Sequence, residues 1–158
     1  MLQNAMVAAF PISSQICLPT WAGGGSESAI LRQAENEALR WLEYVGMADQ
    51  RYALARELSF GQQKLVSLAR LFAKQSRILL LDEPTAGLSH QMIEKVVSLI
   101  QRAVIEQGLT VALVEHNMSV VADLANWIHF LHEGHIAFSG AAAHVLGNKT
   151  VREIYMGL

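Results

Sequence analysis

Cysteine is almost missing from this 158-residue sequence, which contains only Cys17. A single thiol excludes an internal disulfide, and no second cysteine stands at metal-ligand spacing, so Cys17 reads as a small packed apolar residue suited to a reducing cytoplasm. Long apolar runs are missing as well. None approaches the roughly 20 residues that a membrane-crossing helix needs, and the opening MLQNAMVAAF lacks the basic leader of a secretory signal. Membrane association is therefore expected to come through a partner protein and not by direct insertion. Neither sign of charge dominates: 12 basic and 14 acidic residues give a formal net charge of −2, with no basic patch to mark a nucleic-acid or anionic-lipid surface. Repeats and low-complexity tracts are absent, and so is the phosphate-cradling pattern GxxxxGK followed by Ser or Thr.

What is present is the composition of one globular domain, 52% apolar and 16% charged, able to bury a core. Pro19 and Gly23-Gly24-Gly25-Ser26 mark a flexible loop. A helix is expected after it, with Ser26 as its cap, apolar side chains at Ile30, Leu31, Ala34, Ala38, Trp41, Leu42 and Val45, and Gly46 at its end. A second helix is expected from Gly61 to about Lys74, carrying Leu65, Leu68, Ala69 and Phe72 on one face. The unbroken run Ile78-Leu79-Leu80-Leu81 then predicts a strand buried on both faces of a parallel sheet. Ser89 to Gly108 predicts a crossover helix, and Leu109 to Val114 the next strand, completing a βαβ unit. Asn117 to Asn126 reads as a short helix. Trp127 to Leu131 and His135 to Phe138 read as a hairpin turning at Glu133-Gly134, followed by short helices near Ala141 to Leu146 and Thr150 to Met156.

In open parallel sheets, ligands bind beyond the carboxyl ends of the strands. That rule draws attention to Asp82-Glu83 and Glu115-His116. Two carboxylates at a strand end suit a Mg-nucleotide site, one to hold the metal and the other to orient or deprotonate an attacking water. The plainer alternative is that Asp82 caps a turn before Pro84, and that His116 is a hydrogen-bonded structural histidine. At Leu58-Ser59-Phe60-Gly61-Gln62, a hydroxyl, a bare glycine backbone and a helix N-terminus offer donors to an anion. An ordinary Ser-capped helix start explains the same residues.

Order and spacing favour the functional reading. LSFGQQ at Leu58 to Gln63, ILLLDEP at Ile78 to Pro84, the following TAGLS, and VEHNM around His116 together resemble the ABC transporter ATPase family. The resemblance extends to FLHEGHIAFSG and to LQNAMVAA. It implies an α/β, P-loop NTPase-like partial domain: a parallel sheet with flanking helices plus part of a helical subdomain. Residues 1–76 would be the helical subdomain with the signature motif, and residues 77–158 the C-terminal part of a RecA-like ATPase core. The Walker A loop, the aromatic adenine contact and the Q-loop would lie upstream of Met1, leaving Gln15 as an insertion residue.

The same resemblance implies roles. Asp82 positions Mg²⁺, Glu83 is the catalytic carboxylate, and His116 contacts the γ-phosphate. Ser59, Gly61 and Gln62 act in trans on ATP held by a second ATPase subunit in a head-to-tail dimer. Ala86-Gly87-Leu88-Ser89 resembles the D-loop, with Ser89 in place of the family's usual aspartate. AGLS, VEHNM and the terminal VREIYMGL are most similar to the branched-chain amino acid importer branch and related urea or amide importers. The implied setting is cytoplasmic, peripheral to the inner membrane through an integral permease that meets the helix beginning at Ser26. An isolated chain lacking Walker A is expected to be inactive. A non-enzymatic interaction or self-pairing module is the alternative, and a soluble ABC ATPase of DNA repair or translation is a third reading that lacks its usual duplications or insertions. His129, His132 and His135 fall across a strand, turn and strand, where their spacing does not put them on one face to bind zinc. Trp21 and Trp41 read as packing residues.

Overall fold

The computed structural model describes residues 25–156. Gln15, Cys17, Trp21 and the LQNAMVAA stretch lie outside them. The chain divides between Leu113 and Val114 into two compact units.

In the first unit, α1 spans Gly25–Tyr44. It starts two residues earlier than a Ser26 cap implies, so Ser26 lies within its first turn and is not the residue before it. Ala34, Ala38, Trp41, Leu42 and Val45 recur at helical spacing and are all buried, which is why this segment is a helix with one committed face. Its end is a Schellman turn: Met47 N donates to Leu42 O at 2.7 Å and Gly46 N to Glu43 O at 2.9 Å, with Gly46 left-handed. Two 3-10 turns at Ala48–Gln50 and Ala55–Glu57 lead into α2, Phe60–Ala73. Leu65, Leu68, Ala69 and Phe72 of α2 are buried, and Phe72 meets Trp41 and Tyr44 of α1 with ring centroids 6.2 and 5.7 Å apart. Trp41 is thus a packing residue.

Strand β1, Ile78–Asp82, and β2, Thr110–Val114, form a two-stranded parallel sheet. The crossover α3, His90–Gln107, joins them and buries Val96, Val97, Leu99, Ile100 and Ala103. Ser89 occupies the N-cap position of α3 but its hydroxyl makes no capping bond, and left-handed Gly108 ends the helix. The expectation that β1 is buried on both faces is corrected: Leu79 and Leu81 are buried, whereas Ile78 is 62% and Leu80 77% exposed. Strand side chains alternate between faces, and among the described residues nothing covers the face that Ile78 and Leu80 share.

The second unit carries α4 (Met118–Leu124), β3 (Trp127–His132), β4 (His135–Ala141), α5 (Ala142–Gly147) and α6 (Lys149–Met156). β3 and β4 pair antiparallel around Glu133-Gly134, both at positive φ as a two-residue hairpin turn of this hand requires. A register shift follows Phe130, which pairs with Phe138 while Leu131 pairs with Ile136, leaving Ala137 as the extra bulge residue. Val120, Val145 and Val151 are the buried anchors of α4, α5 and α6. No helix among the described residues is long and apolar enough to cross a membrane.

Candidate functional site

The apolar run of β1 stops at Asp82, which is exposed at the strand's carboxyl end, and exposed Glu83 follows it. Glu83 has φ of 42°. A non-glycine residue in the left-handed region costs on the order of 1 kcal/mol or more, a strain that tends to survive where function needs the geometry. The turn is held by Ala86 N donating to Glu83 O at 3.2 Å and Leu88 N donating to Thr85 O at 3.2 Å, over buried Pro84 and Thr85. Consecutive carboxylates at this strand end are hard oxygen donors, and they fit a divalent cation such as Mg²⁺.

The start of α2 is a reciprocal cap. Ser59 Oγ accepts from Gln62 N at 3.3 Å, and Gln62 Oε1 accepts from Ser59 N at 2.9 Å. Gln63 N reaches Ser59 O at 2.9 Å, so the N–H groups of Phe60 and Gly61 are the first-turn donors left without an intrahelical acceptor. The ordinary capping role of Ser59 is therefore real, and it coexists with an anion-facing helix end. Gly61 allows α2 to approach α3 closely, because a Cβ built there would sit 3.1 Å from the Met92 side chain.

Two residues to which the sequence assigned no role of their own, Lys64 and Phe60, link these elements. Lys64 Nζ donates to Glu83 O at 3.4 Å and lies 5.7 Å from the centroid of the Phe60 ring. Phe60, 54% exposed, in turn lies against Gly87. The first unit thereby brings together Ser59, Gly61 and Gln62 on α2 with the Glu83 to Gly87 turn through Lys64 and Phe60.

His116 belongs to the second unit. Its N–H donates to Glu115 Oε2 at 3.2 Å, as does that of Asn117 at 3.3 Å, and its carbonyl accepts from the Tyr155 hydroxyl. Asn117 Oδ1 caps α4 by accepting from Ser119 N at 3.1 Å and Val120 N at 3.5 Å. Two further histidines of this unit have local partners: His129 Nδ1 is 2.9 Å from Ser139 Oγ, and His135 Nδ1 is 2.9 Å from Glu133 O. A cavity of about 590 Å³ in the first unit is lined by Trp41, Tyr44, Arg77, Glu106, Gln107 and neighbours. None of the motif residues lines it. The strand-end acids stand in the open.

Comparison with known proteins decides what this arrangement belongs to. The family model for ABC transporters matches residues 3–86. The chain belongs to the ABC transporter family. It is 33% identical over 121 residues to the energy-coupling factor transporter ATP-binding protein EcfA1 of Methanospirillum hungatei, covering 77% of this chain and 43% of that protein. It is 36% identical over 125 residues to the nopaline permease ATP-binding protein P of Agrobacterium fabrum, covering 77% and 48%. Against the high-affinity branched-chain amino acid transport ATP-binding protein BraF of Pseudomonas aeruginosa it is 32% identical over 126 residues, covering 80% and 49%. The chain spans about half the length of these relatives. The fold matches an ABC transporter of metal-chelate type in an inward-facing conformation, with a TM-score of 0.80 at 24% identity over 99% of this chain and 57% of that one. It also matches the ATP-binding cassette MJ1267 in its ADP conformation, with a TM-score of 0.74 at 23% identity over 99% and 62%.

Proposed function

We propose that this chain supplies the hydrolytic and signature residues of an ATP-hydrolysing ABC cassette that powers a membrane importer. The observation that carries the reading is the junction of Asp82 and strained Glu83 at the end of β1 with the capped start of α2, through Lys64 and Phe60. Residues 1–76 are the helical subdomain and residues 77–158 the C-terminal part of the ATPase core in this reading.

Asp82 is the residue to hold Mg²⁺, and Glu83 the base that orients the attacking water and takes its proton as the water oxygen bonds to the γ-phosphorus and the bond from that phosphorus to the β,γ-bridging oxygen breaks, with ADP as the leaving group. When bound, Mg²⁺ neutralises charge developing on the phosphate oxygens. His116 contacts the γ-phosphate. Ser59, Gly61 and Gln62, with a helix N-terminus behind them, complete the site of a second ATPase subunit in a head-to-tail dimer. An integral permease anchors the pair at the cytoplasmic face of the membrane. Branched-chain amino acids are the proposed cargo, supported by AGLS, VEHNM and VREIYMGL and by the likeness to BraF.

The phosphate cradle is not among these residues, since the sequence holds no GxxxxGK pattern, and we take this chain alone to be catalytically silent. The test is Glu83→Gln in a cassette that includes a phosphate-binding half. Turnover should collapse while ATP-driven pairing survives, and near-parental turnover would remove Glu83 from its role. A second reading, a self-pairing module without catalysis, is supported by the exposed Ile78 and Leu80 face. Sedimentation of Leu80→Lys against the parent tests it, with a loss of dimer expected only under that reading.

A further inference from the structure

We infer that Tyr155 is a positioning residue for His116, an inference that rests on the γ-phosphate role proposed for His116. The Tyr155 hydroxyl donates to the His116 carbonyl across 39 positions of sequence, the longest-range hydrogen bond described within the second unit. On the other side of the same residue, the His116 N–H is held by Glu115 Oε2. Both backbone polar groups of His116 therefore have side-chain partners. The next residue, Asn117, spends its carboxamide oxygen on capping α4, so the loop from Glu115 to Asn117 is pinned at its start, its middle and its exit.

The three restraints differ in kind. Glu115 and Asn117 act locally, within three residues of their acceptors or donors, and fix the shape of the turn. Tyr155 acts from α6, whose place is set by fully buried Val151 one helical turn earlier. Tyr155 ties the loop to a helix distant in sequence, through a hydroxyl on a half-exposed side chain. Tyr155 is 46% exposed, so its packing contribution is modest and the hydroxyl is its distinctive feature. A histidine that must meet a phosphate in one geometry gains from a backbone that does not wander, because misplacement of a reacting partner by about 1 Å costs on the order of 100-fold in rate.

Tyr155→Phe removes that one oxygen. In the 158-residue chain, amide hydrogen exchange at His116, Asn117, Ser119 and Val120 should quicken about fivefold while exchange in β3 and β4 stays at the parental rate, because the lost hydrogen bond restrains this loop and not the hairpin. In the complete cassette, kcat for ATP should fall about tenfold while KM for ATP stays within about twofold, the pattern of an interaction needed in the transition state. His116→Ala is measured alongside. If His116→Ala abolishes turnover and Tyr155→Phe keeps the parental kcat, the positioning role is wrong and the role of His116 stands. If both variants keep the parental rate, the reading of His116 falls and takes the inference with it. A Tyr155→Phe effect confined to KM, or exchange that quickens throughout the unit, would also overturn it.

Discussion

Gly87 packs its backbone against the ring of Phe60: a Cβ built on Gly87 would lie 3.2 Å from Phe60 Cε1, and the residue adopts φ of 73°. The turn after β1 and the first residue of α2 are thus fitted to each other. Gly87→Ala meets two obstacles, left-handed backbone and a ring in the way, and should destabilise the chain by about 1–3 kcal/mol. Paired with Phe60→Ala, the ring's share should vanish and the backbone share remain, so urea unfolding of the double-mutant cycle would give a non-zero coupling. Strict additivity would show that the two residues do not meet.

Capping and ligand binding can be separated at Ser59. Ser59→Ala removes the acceptor for Gln62 N and should cost about 1 kcal/mol of stability. Ser59→Asp keeps a good cap, so the chain should remain about as stable as the parent, but it places a carboxylate where the trans phosphate is expected. In a complete cassette, ATP-driven pairing should then fail for Ser59→Asp despite sound folding, as read by size-exclusion chromatography with ATP. Normal pairing by that variant would reduce Ser59 to a helix cap.

Strain at Glu83 makes an opposing pair of outcomes. Glu83→Gly relieves the φ of 42° and should raise stability by about 1 kcal/mol, whereas the complete cassette carrying it should lose about 10²- to 10⁴-fold in turnover with its general base. Glu83→Gln should lose turnover without the gain in stability. A Glu83→Gly protein that is no more stable than the parent would show that the turn exacts no cost.

Much of this was legible in the sequence because it is local. The ends of α1 and α3 are written in Gly46 and Gly108, the hairpin in Glu133-Gly134, and the start of α2 in Ser59 with Gln62 three positions on. The strand ILLLD was legible as a strand, but its cover was not. An unbroken apolar run reports that both faces are suited to burial, and Ile78 and Leu80 remain exposed among the described residues. The long-range contacts within each unit were also silent, since Lys64 meets Glu83 across 19 positions in the first and Tyr155 meets His116 across 39 in the second. No periodicity or local motif encodes such pairs.

Tyr44 gives a prediction in pH. Its hydroxyl is buried and makes no hydrogen bond of normal geometry; the Arg102 guanidinium lies over the ring face, 3.7 Å from the centroid. Burial pushes its pKa above the ordinary 10.0, with Arg102 pulling it back and Glu106 adding to the rise. The unfolded chain therefore releases this proton at lower pH than the folded one. The stabilising contribution is whole below pH 10.0 and is lost as pH climbs from there through the raised value. Tyr44→Phe should flatten that alkaline loss. It should also raise stability near neutrality by about 1 kcal/mol, because an unsatisfied buried hydroxyl is removed. Urea midpoints from pH 8 upward check both effects, and parallel curves for parent and variant would contradict the assignment.

The last prediction concerns the chain by itself: the 158-residue protein should neither bind MgATP tightly nor hydrolyse it. In P-loop enzymes, backbone amides and the lysine of the GxxxxGK loop supply most of the cradle for the β- and γ-phosphates, and this sequence holds no such loop. What the strand end offers is two exposed carboxylates, Asp82 and Glu83, which repel a triphosphate unless a divalent cation stands between them. Lys64, held at Glu83 O and the Phe60 ring, brings one positive charge against these two negative ones and leaves the strand end acidic on balance. The start of α2 adds few donors, because Ser59 and Gln62 cap each other and leave only the N–H groups of Phe60 and Gly61. A helix end with two donors is suited to completing another subunit's site and too weak to make one. Calorimetric titration with MgATP should therefore show no binding at micromolar concentration, and a phosphate-release assay no turnover. Micromolar affinity, or turnover that disappears with Glu83→Gln, would mean that Asp82, Glu83 and the α2 N-terminus form a working phosphate site without a P-loop.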